Sequence, residues 1–110
     1  MKIYNQRIEL SEHFNLSELL KSQTAERKNI KNVPNYTEIE NMKVLCQDIG
    51  EPIREHVRST INSKAIIHIS SGYRSKNLNS AIGGSKYSQH VKGEAIDFVI
   101  YNIDLFDLFL

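Results

Sequence analysis

Between Ile39 and Val57 apolar side chains recur every three or four residues: Ile39, Met42, Leu45 or Cys46, Ile49, Ile53 and Val57. That spacing places them along one face of an amphipathic helix, so the fold must supply a surface for that face to cover. Thr37 and Glu40, three residues apart, predict its capped start. Gly50 and Pro52 interrupt the run. Proline lacks a backbone donor and crowds the carbonyl four residues back, so a kink or two abutting helices is expected there. A helix of this length in a chain of 110 residues leaves room for one compact domain, spanning 1–110, and not for two.

The flanking segments are shorter. The first ten residues suit a short strand or an extended arm. Asn15 with Glu18 predicts a helix start, with Leu16, Leu19 and Leu20 as a narrow apolar stripe that fades through Thr24 to Lys28, before a loop over Asn32–Asn35. Lys64–Ser70 is isoleucine-rich and ends at the turn Ser71–Gly72, which predicts a strand. Ser75 can cap a brief helix through Leu78 and Ile82, closed by Gly83–Gly84. Glu94–Ile100 predicts a second, buried strand, with Ala95, Asp97 and Val99 on one face and Ile96, Phe98 and Ile100 on the other. Asn102 or Asp104 then opens an apolar helix carrying Leu105, Phe106, Leu108, Phe109 and Leu110. It has no stop signal, so the expectation is a domain truncated at its C-terminus. An exposed apolar helix of this kind would also favour self-association.

Composition removes several classes of function. With 14 Lys+Arg against 13 Asp+Glu the net charge is +1, and there is no basic run, so the footprint of a nucleic-acid binder is missing. No apolar run approaches the roughly 20 residues that span a bilayer. The N-terminus shows no signal peptide, which makes cytoplasmic synthesis the expectation. Cys46 is the only cysteine, so no internal disulfide forms, and its helical neighbours suit a small buried hydrophobe.

The chemistry is concentrated between Ser71 and Asp97. An aspartate flanked by Ile96 and Phe98 is costly to bury unless a positive or hydrogen-bonding group meets it. Gly93 permits a tight turn that brings His90 back toward Asp97. An imidazole and a carboxylate converging on one point suit Zn²⁺, which accepts nitrogen and oxygen ligands. Plain readings stand beside this one. His90 and Asp97 can form a simple hydrogen-bonded pair, Arg74 can pair with a surface carboxylate, and Ser88 can cap a turn.

The complete string shifts the balance. Ser88-x-His90-x-x-Gly93-x-Ala95-x-Asp97 resembles the SxHxxGxAxD motif of the zinc D-Ala-D-Ala carboxypeptidases, a family that also contains phage peptidoglycan endopeptidases. Ser71-Gly72-Tyr73-Arg74-Ser75 with Leu78-Asn79 resembles the family's SGYRSxxLN segment, and Ser11-Glu12-His13-Phe14 with Leu16-Ser17-Glu18 resembles its helical lead-in. The resemblance implies an α+β fold, with helices packed on a small, largely antiparallel sheet of the hedgehog/D,D-peptidase type. It implies His90 and Asp97 as zinc ligands and Arg74 as the residue that stabilises the oxyanion. Ser88 and Tyr73 would shape the substrate site. The implied substrate is the stem peptide of peptidoglycan, reached at the cell wall by an export route that the sequence does not reveal.

The chain also departs from the pattern. The family's third zinc ligand is a histidine near the C-terminus, in a segment with an acidic general base and commonly a tryptophan. No tryptophan occurs here and no histidine follows His90. Asp104 and Asp107 suit a helix start and a surface better than a catalytic base. Of the other histidines, His68 on the strand before SGYRS is the nearest substitute, ahead of His13 and His56. The competing expectation is a non-catalytic wall-binding or phage-associated structural module.

Overall fold

Asn35, two residues earlier than Thr37, starts the long helix. Its side chain accepts the N–H of Glu38 while the Glu38 carboxylate accepts the N–H of Asn35, a complete capping box. Both residue pairs have the right spacing, and the helix begins at the first one after Pro34. The computed structural model describes residues 8–102. The arm expected over the first ten residues and the apolar helix expected after Asn102 therefore fall wholly or largely outside the described residues.

Helices α1 (Leu16–Leu20) and α2 (Gln23–Arg27) lead into a rod made of α3 (Tyr36–Leu45), a π-helical turn (Cys46–Gly50) and α4 (Glu51–Thr60). Strand β1 (Ile66–Ser71), helix α5 (Lys76–Ile82), a 3₁₀ turn (Gln89–Lys92) and strand β2 (Asp97–Tyr101) follow. The architecture is α+β. The Asn15 side chain caps α1 through the N–H of Glu18, as the spacing predicts. The fading tail expected after it is instead a separate helix, capped by Ser22 through the N–H of Ala25. Ser22 has no acidic residue three positions on, so it lacks the sequence signature of a reciprocal cap.

Gly50 and Pro52 do not break the rod. Pro52 cannot donate, and the turn before it is wound wide, with the N–H of Glu51 donating to the C=O of Cys46 five residues back. One extra residue per turn relieves the crowding that proline imposes on a regular helix.

β1 and β2 pair antiparallel, His68 opposite Val99 and Ile69 opposite Phe98, with a bulge before Ser71 meets Asp97. β2 differs from the buried strand expected, because Phe98, Val99 and Tyr101 are all exposed. The sheet has two strands among the described residues, and it is β1 that carries Ile69 into the core. That core joins Leu10, Phe14, Leu16 and Leu19 from the lead-in to Ile39, Met42 and Cys46 of the rod. The Cys46 thiol is pushed up to about 12, first by burial and then by the charges of Glu18 and Glu51. No described helix is long and apolar enough to cross a membrane.

One carboxylate of the rod gathers three hydrogen bonds from the lead-in. Glu51 accepts from Ser11 Oγ at 2.5 Å, from the backbone N–H of His13 at 2.6 Å and from His13 Nδ1 at 2.7 Å. Burial pushes the pKa of Glu51 up, but the Ser11 and His13 hydrogen bonds and the His13 charge outweigh it and hold the carboxyl below its ordinary 4.5. A depressed carboxylate stabilises the fold above its unfolded value and loses that contribution as pH falls through its lower folded value. Glu51→Gln is therefore expected to be less stable than the parent at neutral pH and to match it in acid well below 4.5. Urea unfolding across a pH series measures the convergence.

Candidate functional site

The segment after β1 is held by backbone contacts with α1. The N–H of Tyr73 donates to Leu19 C=O at 2.8 Å, close enough that a Cβ at Gly72 would lie 2.5 Å from the same oxygen. Only glycine allows this approach. Asn32, from the loop after α2, completes the hold: Nδ2 donates to Leu20 C=O and Tyr73 C=O, both at 2.9 Å, and Oδ1 accepts the N–H of Ser75 at 2.7 Å.

The second strand of the site is a short turn. Ser88 Oγ accepts the N–H of His90 and starts the 3₁₀ turn, and Gly93 ends it with φ +75°. A Cβ at Gly93 would lie 2.6 Å from Glu38 C=O, so the turn packs directly on α3. Asn41 of α3 donates to Lys92 C=O at 2.9 Å and fixes the same face. The two segments then meet, the N–H of Arg74 donating to His90 C=O at 3.0 Å.

At this junction His90 Nε2 lies 3.3 Å from Asp97 Oδ2, and Arg74 Nη2 lies 3.9 Å from the same oxygen. The His90 and Arg74 side chains are 12% and 16% exposed and that of Asp97 is 60% exposed, so the site opens toward solvent at the carboxylate. The other ring nitrogen, Nδ1, lies 2.7 Å from Gly72 C=O. A carbonyl can only accept, so Nδ1 carries the proton and, in the neutral ring, Nε2 presents a bare lone pair. With Nε2 bare, a cation fits between or beside that lone pair and the carboxylate oxygen; with Nε2 protonated, the two form an ion pair. Arg74 is held by neutral acceptors, Nε by Ser71 Oγ and Nη1 by Asn79 Oδ1, each at 3.3 Å.

Three of the residues singled out in the sequence, His90, Asp97 and Arg74, thus come together. Tyr73 is 6% exposed and belongs to the core cluster, which fixes the position of its loop. Ser88 Oγ caps its own turn. His68 faces away from the junction, tilted against Tyr101 at 5.9 Å between rings. It lines a separate groove of about 890 Å³ with Glu18, Arg54 and Arg58, and that groove includes none of His90, Asp97 and Arg74. His13 is engaged with Glu51, and His56 is exposed on α4. Asp104 and Asp107 lie outside the described residues. Sequence reasoning missed Asn32, which sits in a loop with no pattern to mark it, and assigned no role to Asn79.

A family model described as Peptidase M15 matches residues 12–109. The chain belongs to the peptidase M15 family. The match spans the lead-in, the SGYRS segment and the His90–Asp97 turn in one stretch. No curated protein and no solved structure matches the chain. M15 peptidases are typically zinc-dependent, and the donor set can be tested against that metal. The Nε2 lone pair of His90 and the open carboxylate of Asp97 would offer one nitrogen and one oxygen donor, with Gly72 C=O as the outer partner orienting the imidazole. The pair fits zinc as part of a ligand set. Among the described residues no group of three His, Cys, Asp or Glu side chains could hold a metal ion, so a catalytic centre needs a further ligand.

Two measurements check this geometry. Long-range ¹H–¹⁵N spectra of the neutral His90 ring are expected to show Nδ1 protonated and Nε2 bare. Gly93→Ala, which must hold a positive φ against Glu38 C=O, is expected to lose about 1–3 kcal/mol of stability in urea unfolding.

Proposed function

We propose that this M15 domain serves a zinc metallopeptidase that cleaves peptide bonds in the stem peptides of peptidoglycan, as a D,D-carboxypeptidase or endopeptidase. The observation that carries the reading is the convergence of His90 Nε2, Asp97 and Arg74 at one solvent-facing point. His90 and Asp97 would hold the metal, and the remaining ligand and the general base would come from residues outside 8–102. When bound, zinc polarises a scissile carbonyl and lowers the pKa of a coordinated water. Arg74 places a guanidinium beside the metal ligands, where negative charge develops on the carbonyl oxygen of a tetrahedral intermediate. A donor already fixed in that position needs no reorganisation as the charge forms.

Support for the substrate class comes from the two motifs, which resemble those of D-Ala-D-Ala carboxypeptidases and phage endopeptidases. The test is cleavage of purified muropeptides by the polypeptide as the cell makes it, with and without a zinc chelator. Zinc-dependent release of stem-peptide fragments is expected, with His90→Ala and Asp97→Ala reducing it below detection. Arg74→Ala is expected to lower kcat by about 10²–10³, the scale of losing one oxyanion donor. Binding of wall fragments without cleavage, indifferent to the chelator, would replace the peptidase with a wall-binding module.

A further inference from the structure

Asn79 is the one buried polar residue among the described residues, 3% exposed at the start of the second turn of α5. Both ends of its amide are committed. Oδ1 accepts from Arg74 Nη1 at 3.3 Å, and Nδ2 donates to Ser85 C=O at 2.8 Å. A guanidinium only donates and a carbonyl only accepts, so these two partners fix which way the amide points. The loop after α5 closes tightly over it. Gly84 N–H donates to Asn79 C=O at 2.9 Å, and a Cβ at Gly84 would collide with Asn79 Oδ1. The glycine at position 84 is what lets the loop lie this close to the amide.

We infer that Asn79 is a positioning residue for Arg74, holding the guanidinium in register with Asp97 by a neutral acceptor that leaves its positive charge whole. Its catalytic consequence rests on the peptidase reading above; its geometry does not. Ser71 Oγ and Asn79 Oδ1 grip Nε and Nη1 from the protein side, which leaves Nη2 near Asp97 and toward the opening. A carboxylate at position 79 would grip as well but would neutralise the group it positions. An oxyanion at the site would then compete with a fixed anion for the same cation.

The experiment pairs arginine side-chain NMR with kinetics on the same polypeptide. Rotation of the Arg74 guanidinium about its Nε–Cζ bond, read from its Nη signals, is expected to be about ten-fold faster in Asn79→Ala, the factor one hydrogen bond is worth. Asn79→Asp keeps an acceptor for Arg74 while giving up the donor to Ser85 C=O, and is expected to leave that rotation slow; the dispersed amide spectrum of each variant shows that it is folded. On muropeptides, both variants are expected to lower kcat by about ten-fold or more while KM changes by less than about two-fold, because the interaction lost is one made to the transition state. In an Arg74→Ala background, Asn79→Ala is expected to cost nothing further in kcat. Unchanged Arg74 rotation in a folded Asn79→Ala protein, or a full additional loss in the Arg74→Ala background, would overturn the positioning role. A parent polypeptide that cleaves no muropeptide would instead overturn the peptidase reading, and the rotation measurement would still decide the role of Asn79.

Discussion

A single side-chain amide, that of Asn32, ties together the parts on which the site depends. It reaches the end of α1 through Leu20 C=O and both sides of Arg74 in sequence, through Tyr73 C=O and the N–H of Ser75. Arg74 is therefore bracketed by fixed backbone before its own side chain makes any contact. The same bracket sets Gly72, whose carbonyl decides the tautomer of His90. Loss of this one clamp would loosen the arginine, the imidazole and the helix cap at Ser75 together. These are buried or half-buried hydrogen bonds, and leaving their partners unpaired costs more than the bonds themselves contribute.

The electrostatic layout is asymmetric. Toward the protein, Arg74 and His90 meet only neutral acceptors: a hydroxyl, an amide oxygen and a peptide carbonyl. Toward solvent they share one carboxylate oxygen. One lone-pair donor, His90 Nε2, and one cation, Arg74, thus look out past a single anion. This polarity suits a centre that receives a cation and an electron-rich carbonyl, and it contrasts with the Ser11–His13–Glu51 lock, where one acid is saturated by donors and faces no opening.

Much of this could be read in the chain because the relevant rules are local. Asn15, Ser75 and Gly83 mark helix ends by residue type alone, and the motif spacing placed His90, Gly93 and Asp97 in one turn-and-strand unit. What escaped was decided by contacts between distant segments. Thr37-x-x-Glu40 and Asn35-x-x-Glu38 are equal as patterns, and only the chain's entry through Pro34 separates them. Tyr73 is marked by its motif, and its burial in the core cluster depends on segments far from it in the chain. β2 has the apolar sequence of an inner strand and yet remains exposed, since alternation cannot report how many layers cover a sheet. Asn32 carries no local mark at all, and its importance exists only in the assembled loop.

The widened turn at Cys46–Gly50 also bears on how the molecule tolerates change in chain length. It amounts to one residue more than a regular helix would use over the same distance. Removing a residue there would restore ordinary winding and keep the downstream face in phase, whereas removing one from the regular turns of α3 would rotate everything beyond it by about 100° about the rod axis. Glu51 would then swing away from Ser11 and His13, although its own chemistry would be unaltered. The widened turn thus holds the slack in the rod's residue count, so a deletion at exposed Ile49 should disturb the phase of α4 less than one at exposed Val44.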